Sequence, residues 1–164
     1  MKVETVTITI PGLKREYVFY HTSDCHLAYA LPEEGEEAAC KAAKQTEAWS
    51  YTGLLPADAM KQALAIAEED HADGIFLCGD IADYLSEGTL KAVHDALKST
   101  STPKFYVCGN HERSGVEPPD SRDFYPAYEA LMHGSPGCWK VDFGEFVIAG
   151  MDDGDQQMRQ EQLE

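Results

Sequence analysis

Gly74-Ile75-Phe76-Leu77-Cys78-Gly79-Asp80-Ile81-Ala82-Asp83 is the stretch that decides how this chain folds. Up to Cys78 it is a short, nearly unbroken apolar run. A run of that length reads as a strand buried on both faces, as in a parallel sheet. At Gly79 the composition turns polar. The same change occurs twice more. Tyr17-Val18-Phe19-Tyr20 runs into His21-Thr22-Ser23-Asp24-Cys25-His26, and Pro103-Lys104-Phe105-Tyr106-Val107-Cys108 runs into Gly109-Asn110-His111-Glu112-Arg113. Ligands of an open α/β sheet bind outside the carboxyl ends of its strands. Three polar clusters in that topological place can therefore meet in space although they lie far apart in sequence.

Helical patterns fill the gaps between these strands. Glu36 to Trp49 is rich in Ala, Lys, Gln and Glu, all good helix formers. Pro56 suits a first helical turn, and Met60, Ala63, Leu64 and Ala67 follow at core-facing helical spacing. Ser86 to Ser99 places Leu90, Val93 and Leu97 on one face. Arg122 to Met132 and Gln156 to Glu164 read as further helices, and Leu31 to Gly35 as a loop. Val3 to Ile10 alternates apolar and polar residues and reads as a strand closed by Pro11-Gly12. Gly137 to Asp142 and Glu145 to Gly150 read as a hairpin turning near Phe143-Gly144. Alternating strands and helices predict an α/β layered fold, a β-sandwich flanked by helices. No repeat, low-complexity tract or linker divides residues 1–164, so one domain is expected. The stretch from Leu31 to Leu55 is long enough to be an insertion bordering the site.

Composition limits the function classes. A chain of 164 residues with 43% hydrophobic residues can build a sizeable core. No apolar run reaches the roughly 18 residues that a membrane span requires. Met1 to Thr5 shows no positively charged region followed by an apolar core, so no secretory leader is expected and a cytoplasmic location is. The net charge of −16 opposes binding to a nucleic-acid backbone or an anionic membrane. It does not oppose a phosphate substrate, because divalent cations reverse the local field. The five cysteines form no Cys-x-x-Cys pair, which fits a reducing compartment.

Carboxylate, imidazole and amide oxygen suit Mn, Fe or Zn. Asp24 and His26 sit two apart and on an extended segment would project to one side, while Cys25 would point away and pack. Glycines before Asp80 and Asn110 allow sharp turns and close backbone approach. The ordered set Asp-x-His, Gly-Asp-x-x-Asp and Gly-Asn-His-Glu resembles the calcineurin-like metallophosphoesterase superfamily from Tyr17 onward. The resemblance implies two metal ions. Asp24 and His26 would bind the first, Asp80 would bridge both, and Asn110 would bind the second and contact the substrate phosphate. His111 would be the general acid, oriented by Asp83. The implied reaction is hydrolysis of a small phosphomonoester or phosphodiester by a hydroxide bridging the metals, without a covalent enzyme intermediate. Arg113 is a candidate phosphate donor, or else the partner of an acidic neighbour.

The match has departures. Tyr84 stands where protein phosphatases of the superfamily have Arg, which weighs against a phosphoprotein substrate. Relatives carry a later strand ending in His and then a Gly-His-x-His segment. The chain reaches Glu164 without either, so the expectation is a domain incomplete at its C-terminal end, prone to self-association through an uncovered sheet edge. A non-catalytic metal-binding fragment of the fold and a nuclease of the same superfamily are the alternative readings. His21 reads as a structural histidine, His71, His94 and His133 as surface residues, and Asp152, Asp153 and Asp155 as a turn.

Overall fold

The computed structural model describes residues 3–50, 53–83, 86–113, 138–153 and 160. Three parallel strands form the central sheet: β1 (Phe19–Thr22), β2 (Gly74–Cys78) and β3 (Lys104–Val107), in the spatial order β1-β2-β3. Helices α1 (Gly35–Trp49) and α2 (Pro56–Glu69) connect β1 to β2, and α3 (Glu87–Leu97) connects β2 to β3. Parallel neighbours require such long crossovers. An antiparallel hairpin of β4 (Trp139–Asp142) and β5 (Val147–Gly150) forms a second sheet.

The register explains the layers. Tyr20 pairs with Ile75, and Ile75 with Lys104; Leu77 pairs with Thr22 and Tyr106. Residues paired in a parallel ladder share a face. Ile75, Leu77 and Tyr106 therefore face the helices, where Met60, Leu64, Ala67, Val93, Ala96 and Leu97 complete the main core. Ala63, expected beside them, is half-buried. The opposite face carries an aromatic layer. Phe19 lies 5.2 Å from Phe76, and Trp139 of the hairpin lies 6.0 Å from Phe76 and 5.4 Å from Phe105. The Trp139 indole also donates to the Tyr106 carbonyl at 2.8 Å. The hairpin is thus bound to the sheet by ring packing and by this half-buried indole donor.

Local chemistry sets the helix ends. Ser86 accepts from the Thr89 amide at 3.0 Å, a side-chain N-cap for α3. The Glu34 carboxylate accepts from the Glu87 and Gly88 amides, placing negative charge at the same helix start. Leu31 to Gly35, expected as a loop, contains a short 3-10 turn at Pro32–Glu34. Strand β1 lies two residues later than its apolar run suggested, so His21 and Thr22 are part of the ladder.

The expected strand from Val3 to Ile10 does not form. That segment is irregular, and Val6 and Ile8 are 83% and 77% exposed. Alternation marks a strand only where a neighbour supplies the ladder. Among the described residues β1 pairs with β2 alone. No described helix is long and apolar enough to cross a membrane. The expected helix at Arg122 to Met132 lies outside the described residues, as does Gln156 to Glu164 apart from Gln160.

Candidate metal centre

The loops after β1 and β2 run side by side. The Asp24 amide donates to the Gly79 carbonyl at 3.1 Å, His26 to Asp80 at 2.8 Å, and Leu27 to Ile81 at 2.8 Å. This pairing continues the parallel ladder beyond the strands and brings two motifs together. The backbone is bent to do so: φ is 55° at Asp24, 49° at His26 and 53° at Asp80. Left-handed geometry at non-glycine residues costs on the order of 1–3 kcal/mol each and persists only where the surroundings hold it. Asp24 and His26 therefore converge through a left-handed turn and not, as their spacing suggested, along an extended segment. Cys25 between them packs on the main core, as expected, and burial pushes its thiol up to about 11.

Glu112 holds the bend from beneath. It is 2% exposed, and its carboxylate accepts four backbone donors: Asp80 at 2.9 Å, Ile81 at 2.5 Å, Ala82 at 3.1 Å and Gly109 at 2.8 Å. Burial raises its pKa, and the amides of Ala82, Gly109 and Ile81 oppose that rise. The second and third motifs are thus joined by one side chain. The two motif glycines touch: a Cβ on Gly79 would stand 2.8 Å from the Gly109 Cα, and one on Gly109 would overlap the Asp80 carboxylate. Gly79 also has φ of 81°.

Two groups of side chains have the chemistry to hold a cation: Asp24, His26 and Asp80, and His26, Asp83 and His111. Their hydrogen bonds separate them. Asp83 is fully buried, and its Oδ1 lies 3.1 Å from His26 Nδ1 and 2.8 Å from His111 Nδ1. The same oxygen accepts from Trp49 Nε1 at 2.9 Å, and Oδ2 accepts from the Gln45 amide. An ionised carboxylate only accepts, so both imidazoles present N–H to it. Asp83 is a hydrogen-bond hub whose acceptor sites are occupied.

That assignment frees His26 Nε2, which lies 3.7 Å from Asp24 Oδ1. Two ligand atoms on one tetrahedral ion stand about 3.4 Å apart, so this pair fits a shared ion with a small adjustment. The Asp80 carboxylate completes the group and is anchored by the His111 amide at 2.9 Å. The donor set Asp24, His26 and Asp80 therefore fits a divalent cation. Asn110 is exposed and lines, with Asp80, Gly79 and Asp153, a cleft of about 350 Å³.

A model of the calcineurin-like phosphoesterase family matches residues 17–158. The chain belongs to that family. Metal-dependent hydrolysis of phosphoesters is the family's general chemistry, and the acidic and imidazole groups described above are candidate ligands for it. No curated protein matches the chain.

Within this calcineurin-like phosphoesterase, the structure brings Asp24, His26, Asp80, Asp83 and His111 into one constellation, with Asn110 at its rim. The backbone of Arg113 ends the short turn His111–Arg113, while its side chain, like Tyr84, His133 and Asp155, lies outside the described residues. His21 and His71 are exposed, and His71 sits in the turn after α2 with φ of 51°. Sequence reasoning missed four participants. Gln45 and Trp49 reach Asp83 from a helix whose composition predicts only helicity. Glu112 stands in the third motif, whose sequence assigns it no task. Asp153 was read as a turn, yet it lines the cleft, and its place just after β5 was the available signal.

Proposed function

We propose that the chain hydrolyses a small phosphomonoester or phosphodiester, with Asp24, His26 and Asp80 holding one cation and Asp80 and Asn110 contributing to a second. Mn, Fe and Zn suit this donor set. When bound, such ions polarise phosphoryl oxygens and lower the pKa of a water that attacks phosphorus. His111 donates the proton that the leaving oxygen requires. Asp83 occupies its Nδ1, which leaves Nε2 of the 31%-exposed ring for the substrate. Asn110 offers an amide N–H to the phosphate in the cleft. The observation that carries this reading is the shared carboxylate of Asp83, which orients the ligand His26 and the acid His111 together.

The net charge of −16 favours small substrates over polynucleotides. The test is hydrolysis of 4-nitrophenyl phosphate and bis(4-nitrophenyl) phosphate after chelation and reloading with Mn²⁺, Fe²⁺ or Zn²⁺. Turnover that requires the metal, with His111→Ala lowering kcat roughly 10²–10⁴-fold, is the expected result. Turnover that survives chelation, or is indifferent to His111→Ala, contradicts the reading.

A further inference from the structure

Helix α1 buries little of its surface against the body. Ala42 is its single buried residue, and a largely apolar cavity of about 720 Å³ lies beneath it, lined in part by Ala28, Ala39, Ala42, Ala43 and Leu55. Its last turns are attached differently. Trp49 lies flat on His26, with ring centroids 3.6 Å apart and planes 4° from parallel. It stands edge-on to His111, 5.8 Å away. Its indole N–H and the Gln45 amide approach opposite oxygens of Asp83. Gln45 and Trp49 are four apart, so one face of α1 presents both. Between them Thr46 donates to the Ala28 carbonyl at 3.1 Å.

We propose that Trp49 and Gln45 are positioning residues for the metal centre, acting through His26 and Asp83, and that the docking of α1 is coupled to occupancy of the Asp24–His26–Asp80 site. The inference rests on the metal-centre reading above. The indole covers one face of the His26 imidazole and fixes its plane. The two donors fix the carboxylate that receives His26 Nδ1–H, and so fix Nε2 as the ligand atom. Partners of this kind set ligand orientation and basicity. Coupling between two such events is reciprocal: what α1 does for the ion, the ion does for α1.

The experiment titrates Mn²⁺ alone into the full chain by calorimetry and follows amide hydrogen exchange across residues 35–49. Trp49→Ala is expected to weaken Mn²⁺ binding roughly 10- to 100-fold. Trp49→Phe keeps the stack without the N–H, and Gln45→Ala removes the other donor; each weakens binding several-fold. Mn²⁺ slows exchange in α1 of the unmodified chain and does not in Trp49→Ala. If Trp49→Ala fails to fold, Trp49→Phe and Gln45→Ala decide the matter. Wild-type Mn²⁺ affinity in those two variants, with exchange in α1 indifferent to Mn²⁺ while His26→Ala abolishes binding, overturns the positioning role alone. Unchanged Mn²⁺ binding in His26→Ala overturns the metal-centre reading, and the proposal with it.

Discussion

The two sides of the site are built in opposite ways. On one side, the loops after β1, β2 and β3 carry left-handed aspartates and histidine, touching glycines, and a buried glutamate that accepts four amides. On the other, α1 is a regular helix with one buried residue that touches the site through Gln45 and Trp49. The loop side is strained and held by backbone hydrogen bonds, so its geometry is present before any ligand arrives. The helix side is regular and little buried, and in the coupling proposed above its docking responds to what it caps. Both meet on Asp83. Preorganisation and adjustability are thus assigned to different parts of the chain.

The contrast breaks most readily at Glu112. Glu112→Gln turns an amide NH₂ toward two of the four backbone donors, and an unsatisfied buried donor costs about 1–3 kcal/mol. A loss of about 2–4 kcal/mol in urea unfolding is expected on that basis. A loss below ~0.5 kcal/mol would show that the bend holds itself.

Gly109→Ala comes next. Its methyl group would overlap the Asp80 carboxylate, and overpacking of this kind costs about 1–3 kcal/mol. Mn²⁺ affinity should fall together with stability if the displaced carboxylate of Asp80 is the ligand proposed above. Unaltered affinity in calorimetry would separate Asp80 from the metal.

Ala43→Gly addresses the helix side. It loosens α1 by about 1 kcal/mol without touching Asp83. Exchange in residues 35–49 should quicken while the urea midpoint hardly moves. A cooperative loss seen by both probes would mean that α1 is not a separate unit.

The smallest effect belongs to neither side. Glu68 accepts from Ser101, Thr100 and Thr102, and these donors hold its carboxyl down at about 2, below its ordinary 4.5. A depressed native pKa stabilises the fold above the unfolded value, and that contribution is lost as pH falls from about 4.5 to about 2. Melting temperatures across that range should fall less steeply in Glu68→Gln. An identical slope would remove Glu68 from the acid response.

The same division explains what the sequence disclosed. The apolar run Gly74–Cys78 is a strand with the bounds it suggested, because burial on both faces leaves a compositional trace. Helices α1 and α2 were legible from propensity and spacing. The three motifs were legible because each is local and each follows a strand. Residues Val3 to Ile10 misled because pairing depends on a neighbour that alternation does not specify. The left-handed turn at Asp24 and His26 was hidden, since its cause is the carbonyls of Gly79 and Asp80 some 55 residues later. Gln45 and Trp49 were invisible for the same reason: a helix sequence states that it is helical, not what it covers.

In the proposed centre one ion sits among Asp24, His26 and Asp80, with Asp83 outside it as a hydrogen-bond acceptor. Anomalous scattering from crystals loaded with Mn²⁺ tests this directly. A peak is expected within bonding distance of His26 Nε2 and of the Asp24 and Asp80 carboxylates. A peak among His26, Asp83 and His111, or none near His26, would contradict it.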